Sequence, residues 1–307
     1  MEAGEYHEKL LTLLDALNNE SLDITSVVDQ YFDKDNLLTW LAVNLIMGNL
    51  DTSSNNFYLY SPLLSDKWFF IPWDYDGAWN YHYTWGKNPD TIHPFREGLS
   101  LYSGWPWVRR YFAEPENLQA LTEKIESLSQ IITEERTKAL LDEYYPTVRP
   151  LMLQQPNVRL LLEETEKYDA EYYALVDVPR QKLDIYKNNL EKPLPVFIGS
   201  YQQNGSVTLS WNASVDLQGD EVYYDLVISR DPELSVIYYE QEGLRDTQLT
   251  LENIPAGNYY WTVIIRDSKG YEQVPFENSI VDGTYYHGVK MFTVTDESGE
   301  APTDLSR

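Results

Sequence analysis

The chain has 307 residues, 49 acidic against 23 basic side chains, and a formal net charge of −26. That balance excludes a nucleic-acid binder, whose phosphate contacts need basic patches, and it disfavours docking on anionic lipid. No apolar run approaches the ~18 residues of a membrane-spanning helix, so no membrane insertion is expected. The absence of cysteine removes disulfides, thiolate catalysis and Cys-ligated zinc together. The acidic start Met1-Glu2-Ala3-Gly4-Glu5 has no signal-peptide character. Hydrophobic residues at 43% and aromatics at 14% are too many for a disordered chain, and the length suits about two domains.

In chain order, Leu10, Leu11, Leu13, Leu14 and Leu17 form an apolar stripe at helical spacing. Leu37 to Met47 is nearly all apolar, so the pattern predicts a helix buried on most sides and stopped at Gly48-Asn49. Asn56-Phe57-Tyr58-Leu59-Tyr60 and Lys67-Trp68-Phe69-Phe70-Ile71 flank a turn-rich spacer and predict a β-hairpin. The stretch that follows, to about Gly104, reads as loop. Helices resume near Pro115, with Thr133 placed to cap another, and further helices are expected over Val158–Leu175 and Pro179–Leu190. Lys192-Pro193-Leu194-Pro195 closes this helical part. Beyond it, Ser206–Trp211, Val222–Ile228 and Tyr259–Ile265 alternate at strand spacing, and the tail 295–307 is expected to be disordered.

No Walker A, G-x-G-x-x-G, G-x-S-x-G or H-E-x-x-H pattern is present, and the four histidines are scattered. The chemistry concentrates in Gly48-Asn49-Leu50-Asp51, Asn56, and Pro72-Trp73-Asp74-Tyr75-Asp76. A hairpin returns the chain, so Asp74 is expected to come back beside Asn56. If the second strand persists, Asp74 and Asp76 share one face. Three carboxylates and one amide are hard oxygen donors, suited to Mg²⁺ or Mn²⁺ rather than zinc. Each aspartate alone reads as a turn or cap residue; gathered, they repel and call for a cation. The interval from Asp51 to Asn56 equals that of the protein-kinase catalytic loop, in which Asp receives the substrate's proton and Asn ligates a metal.

From Gly48 to Asp76 these motifs closely resemble the CotH family of spore coat protein H-like atypical kinases, over about residues 20 to 190. The resemblance implies a kinase-like domain over 1–192 that transfers the γ-phosphoryl group of ATP to a Ser or Thr hydroxyl of a protein. It implies Asp51 as catalytic base, Asn56 and Asp74 as metal and nucleotide ligands, and Asp76 as a further metal ligand. The family more often has an aliphatic residue where Tyr75 stands, read here as a packing change. It also implies a spore-coat, cell-surface or extracellular address, and a basic, Ser-rich protein partner suits the charge. Only 50 residues precede Asp51, and they read as helices without a strand-rich nucleotide lobe. The expectation is therefore a mainly helical C-lobe with a hairpin site segment, weak in nucleotide binding and turnover by itself. Residues 196–294 resemble a fibronectin type III β-sandwich, with Trp211 buried and Tyr259 as the corner tyrosine after Ile254-Pro255-Ala256-Gly257, giving an α+β chain overall. Such a module could bind carbohydrate or protein.

Two other readings compete with a kinase. Paired carboxylates and tryptophan-rich loops suit a secreted carbohydrate-active enzyme, although Asn56 has no role in one. A non-catalytic coat or surface protein is the other. Nine aromatics between Trp68 and Trp85 read as packing, with a sugar- or peptide-binding surface at Trp79, Tyr81, Tyr83 and Trp85 as the alternative. Arg109 and Arg110 are expected to pair with acids rather than meet phosphate.

Overall fold

A computed structural model describes residues 7–79, 93–161, 164–203 and 205–295. Tyr81, Tyr83 and Trp85 of the aromatic run, and the tail from 296, lie outside the described residues. Within them the chain forms two compact units, one of residues 7–79 and 97–187, the other of 93–96 and 188–295.

The first unit is mainly helical. α1 (His7–Asn18) buries Leu13 and Leu17 and leaves Leu11 and Leu14 exposed, so its stripe is narrower than the five leucines suggest. Asp23 caps α2 (Ile24–Tyr31) by accepting from the Ser26 amide, and Asp33 caps α3 (Lys34–Met47) by accepting from that of Asn36. α3 buries Leu37, Leu38, Trp40, Leu41, Leu45 and Ile46, which is why its apolar residues occupy nearly every face. Against it lies the hairpin of β1 (Phe57–Tyr60) and β2 (Phe69–Pro72), in the register Phe57↔Pro72 to Tyr60↔Phe69. A two-stranded ribbon is marginal by itself, and here α3 supports it. The Asn36 amide brackets Phe70, accepting from its N–H at 2.7 Å and donating to its C=O at 3.1 Å. Trp40 stacks on Phe70 with centroids 4.4 Å apart. Lys9 Nζ donates to the carbonyls of Pro62 and Ser65 and so holds the hairpin's connecting loop.

α4 (Pro106–Ala113), α5 (Pro115–Ser129) and α6 (Glu134–Met152) follow, the last capped by Thr133 as expected. α4 falls where a loop ends in the sequence reading; Pro106 at its first turn and buried Val108, Tyr111 and Phe112 account for it. Arg110 on α4 donates to the carbonyls of Leu17, Asn19 and Leu22, so its main partners are backbone oxygens rather than the expected acids. The helix expected over Val158–Leu175 is broken. It consists of 3₁₀ turns at Asn157–Leu160 and Thr165–Lys167 and a short α7 (Tyr168–Ala174). Leu160 is exposed and Val158 and Leu161 only half-buried, so no stripe is packed there to sustain a helix. α8 (Val178–Leu190) ends the helical part. Among the described residues no helix is long and apolar enough to cross a membrane.

The second unit is a β-sandwich. One sheet has the order β3 (Ile198–Gln203), β4 (Ser206–Trp211), β7 (Gln248–Glu252). The other runs β12 (Lys290–Val294), β8 (Gly257–Asp267), β5 (Val222–Ser229), β6 (Ile237–Leu244), with β9 (Glu272–Gln273) on β8. β10 (Asn278–Val281) and β11 (Thr284–His287) form a separate hairpin. Trp211, Leu226, Ile228, Trp261, Val263 and Ile265 fill the core between the sheets, each contributing ~1.5–3 kcal/mol through burial. Tyr259 is buried and its hydroxyl donates to the Pro255 carbonyl at 2.7 Å. This corner, with the three-plus-four strand order, makes the unit fibronectin type III-like.

Candidate functional site

Gly48, at φ +60°, ends α3 in the left-handed conformation that glycine adopts without strain. The chain then turns into Asn49 and a 3₁₀ turn at Asp51–Ser53. This turn is pinned from beneath. Buried Thr52 donates or accepts at 2.6 Å with the Tyr102 hydroxyl and reaches the Asn49 carbonyl at 3.1 Å. Trp105 Nε1 donates to the Ser53 carbonyl at 2.8 Å. Burial pushes the Tyr102 hydroxyl up, so it stays neutral and serves as a fixed strut. Asn49 is buried, and its Oδ1 accepts from the Asp51 amide at 3.3 Å. Asp51 is thereby set on a rigid base with its carboxylate half-exposed.

Asn56 precedes the hairpin at φ +61°. Phe57 pairs with Pro72, so Asn56 stands one step past the ladder, level with Trp73 and next to Asp74. The hairpin register thus returns the chain to Trp73 opposite Asn56, and Asp74 follows outside the ladder. The strand does not persist to Asp76, however. It stops at Pro72; Asp74 takes φ +54°, ψ +71°, and Tyr75–Gly77 form a 3₁₀ turn. Aspartate tolerates this left-handed conformation because its short polar side chain bonds locally. Asp74 and Asp76 consequently meet across a turn, close enough for the charge of Asp76 to bear on Asp74, not along one strand face. The turn is stitched back to α3: the Trp79 amide donates to the Met47 carbonyl at 2.8 Å, and the Tyr75 hydroxyl bonds the Asn44 side chain.

Gly77 closes the site. A Cβ there would stand 2.7 Å from Asp51 Oδ2 and 3.1 Å from Asn49 Oδ1, so the Asp51 carboxylate lies against the Gly77 backbone. The aspartates feel one another. The charge of Asp76, then burial, the Asp76 hydrogen bond and the charge of Asp51 hold the Asp74 carboxyl above the usual carboxylate range. Asp74 and Asp76 are exposed. The result is a solvent-facing pair of carboxylates, Asp74 and Asp76, with Asp51 across Gly77, oxygens of the kind a hard divalent cation prefers.

Asp74 and Asp76 thus share one turn and Asp51 lies against Gly77 of that turn, but the three carboxylates do not all come within 4.8 Å of one another, and Asn56 stands outside the ladder opposite Trp73. Beside Asn49, which the sequence places at the helix stop, the supports Asn44, Thr52, Gly77, Tyr102 and Trp105 carry no functional signal in the motif reading. Of these only Gly77 leaves a local signal, a glycine directly after the second aspartate of Asp74-Tyr75-Asp76.

Comparison with known proteins bears on this segment. The family model described as CotH kinase protein matches residues 2–186. Inner spore coat protein H of Bacillus subtilis (strain 168) is 24% identical over 166 residues, which are 54% of this chain and 43% of that protein. The chain thus spans less than half the length of this curated relative. A solution structure of the fibronectin type-III domain of human fibronectin type III domain containing protein 3 aligns with 35% of this chain and 91% of that one, at 19% identity and TM-score 0.25. The sandwich assignment rests on the strand order and tyrosine corner, not on that likeness. The family match takes in more than half of the chain and the whole of the Asp51–Asp76 site, and the chain belongs to the CotH family.

Proposed function

We propose that this chain is a CotH-like protein kinase, transferring the γ-phosphoryl group of ATP to a Ser or Thr hydroxyl of a protein. The observation that carries the reading is the packing of the Asp51 carboxylate against Gly77, in the turn that bears Asp74 and Asp76. In this account Asp51 receives the proton of the acceptor hydroxyl as its oxygen attacks the γ-phosphorus and the bond to the β-phosphate oxygen breaks. Its 3₁₀ turn, fixed by Asn49, Tyr102 and Trp105, keeps the carboxylate in place through the reaction. Asn56, Asp74 and Asp76 are the residues that would hold Mg²⁺ or Mn²⁺. When bound, that cation supplies positive charge to the phosphate oxygens and offsets the crowding felt by Asp74.

The net charge of −26 favours a basic, Ser-rich acceptor, captured more weakly as salt rises. The relative's name, inner spore coat protein H, supports association with a spore coat or an external surface. The test is incorporation of label from γ-labelled ATP into a basic Ser-containing peptide, with Mg²⁺ and with chelator. Both Asp51→Asn and Asp74→Ala are expected to abolish a chelator-sensitive transfer while the chain stays folded by circular dichroism. Transfer unchanged in both variants would show the reading to be wrong.

A further inference from the structure

In the β-sandwich a second acidic group lies on two loops. Asp216 and Asp220 follow β4, and Asp267 ends β8. Among the described residues they are the trio of carboxylates whose nearest oxygens all lie within 4.8 Å of one another. Two oxygens on one Ca²⁺ at ~2.4 Å can be separated by at most about that distance. Crowding by itself would not indicate a ligand, but the burial does. Asp216 is 8% exposed and Asp267 2% exposed. Each has one oxygen fully satisfied: Asp216 Oδ1 accepts from the amides of Gln218 (2.8 Å) and Asp220 (3.1 Å). Asp267 Oδ1 likewise accepts from those of Lys269 (2.9 Å) and Tyr271 (2.8 Å). The other oxygen of each, Oδ2, is buried with no hydrogen-bond partner. Buried carboxylate oxygens without donors are costly, more so when they face other carboxylates.

Both aspartates sit in the same device. Asp216-Leu217-Gln218-Gly219 and Asp267-Ser268-Lys269-Gly270 are turns in which the glycine stands at positive φ (+82° and +92°) and its amide returns to the aspartate carbonyl. The turns lock each carboxylate, so little order is lost when a cation arrives. Lys269 Nζ meets Asp220 Oδ2 at 2.8 Å, and Ser268 Oγ reaches Asp220 Oδ1 at 3.4 Å. Three carboxylates and one ammonium leave two negative charges, the complement of one divalent ion. The geometry points to a Ca²⁺ site formed by Asp216 Oδ2, Asp267 Oδ2 and the Asp220 carboxylate, joining the β4–β5 loop to the end of β8. Mg²⁺, which demands a tight octahedron, fits such loop carboxylates less well.

This site is independent of the phosphotransfer reading. Its test is titration of the chelator-treated full chain with CaCl₂, followed through the amide resonances of Gln218, Asp220, Lys269 and Tyr271. Saturable shifts at these amides are expected, with Kd on the order of 10⁻⁴ M. Asp267→Asn should weaken binding at least ~10-fold, and Lys269→Met should tighten it by freeing Asp220. Should Asp267→Asn fail to fold, the half-exposed Asp220→Asn takes its place with the same expectation. Amides that stay put up to ~10 mM CaCl₂ in a folded chain, or an affinity untouched by these carboxylate changes, would overturn the inference.

Discussion

Replacing Gly77 by alanine isolates the contact on which the proposed site depends. Gly77 is not among the residues at positive φ, so the backbone does not oppose a side chain there. The added methyl would lie 2.7 Å from Asp51 Oδ2, whereas ordinary contact begins near 3.4 Å, so the Asp51 carboxylate must retreat by ~0.7 Å. Overpacking of this kind costs ~1–3 kcal/mol, which lowers Tm by a few degrees for each kcal/mol in a unit of this size. Misplacing a catalytic group by ~1 Å costs up to ~100-fold, so a shift of ~0.7 Å should lower kcat by roughly 20- to 30-fold. The assay is phosphotransfer to peptide beside thermal unfolding. Adding Asp51→Ala to Gly77→Ala should recover most of the lost stability and none of the activity, a coupling that a double-mutant cycle reads directly. Wild-type turnover and Tm in Gly77→Ala would refute the argument.

Two further predictions concern the β-sandwich. Tyr259→Phe removes the 2.7 Å bond to Pro255 and keeps the ring under the Arg230 guanidinium at 3.8 Å. It should cost ~1 kcal/mol and lower this unit's Tm by ~4–8 °C; an unchanged melt would remove the corner from the account. Burial, aided by the charge of His287, pushes His93 down to about 4. The unfolded chain binds that proton below ~6.5 while the native one does not, so stability is full above this range and is lost as pH falls toward 4. Melting temperature should drop between pH 7 and 5, and His93→Gln should flatten that slope. An identical slope in the variant would contradict it.

Much of the fold is legible along the chain because its signals are local. α3 announces itself by length and apolarity, the hairpin by two aromatic runs around a turn, and β4, β5 and β8 by alternation. What is hidden depends on partners distant in sequence. α4 has only eight residues and gains its place from packing Val108, Tyr111 and Phe112. Among the described residues from 158 to 175 the apolar side chains are at most half-buried, so spacing suggests a helix that packing does not sustain. In the site, the hairpin that returns the chain toward Asn56 is legible from its two aromatic runs. The left-handed turn at Asp74 is not, because a continuing strand and a turn share the same spacing of acids. Asp216, in the β4–β5 loop, and Asp267, at the end of β8, are 51 residues apart, and only the sandwich brings them together.

The central claim is that Asn56, Asp74 and Asp76 hold one cation beside the Asp51 carboxylate at the open end of the hairpin. Paramagnetic broadening by Mn²⁺ in the presence of ATP reads this residue by residue. The account predicts that amides of Asn56–Phe57 and Trp73–Gly77 broaden at low Mn²⁺ and that Asp74→Ala abolishes this effect. Sharp resonances in both segments at saturating Mn²⁺, in a chain that remains folded, would contradict it.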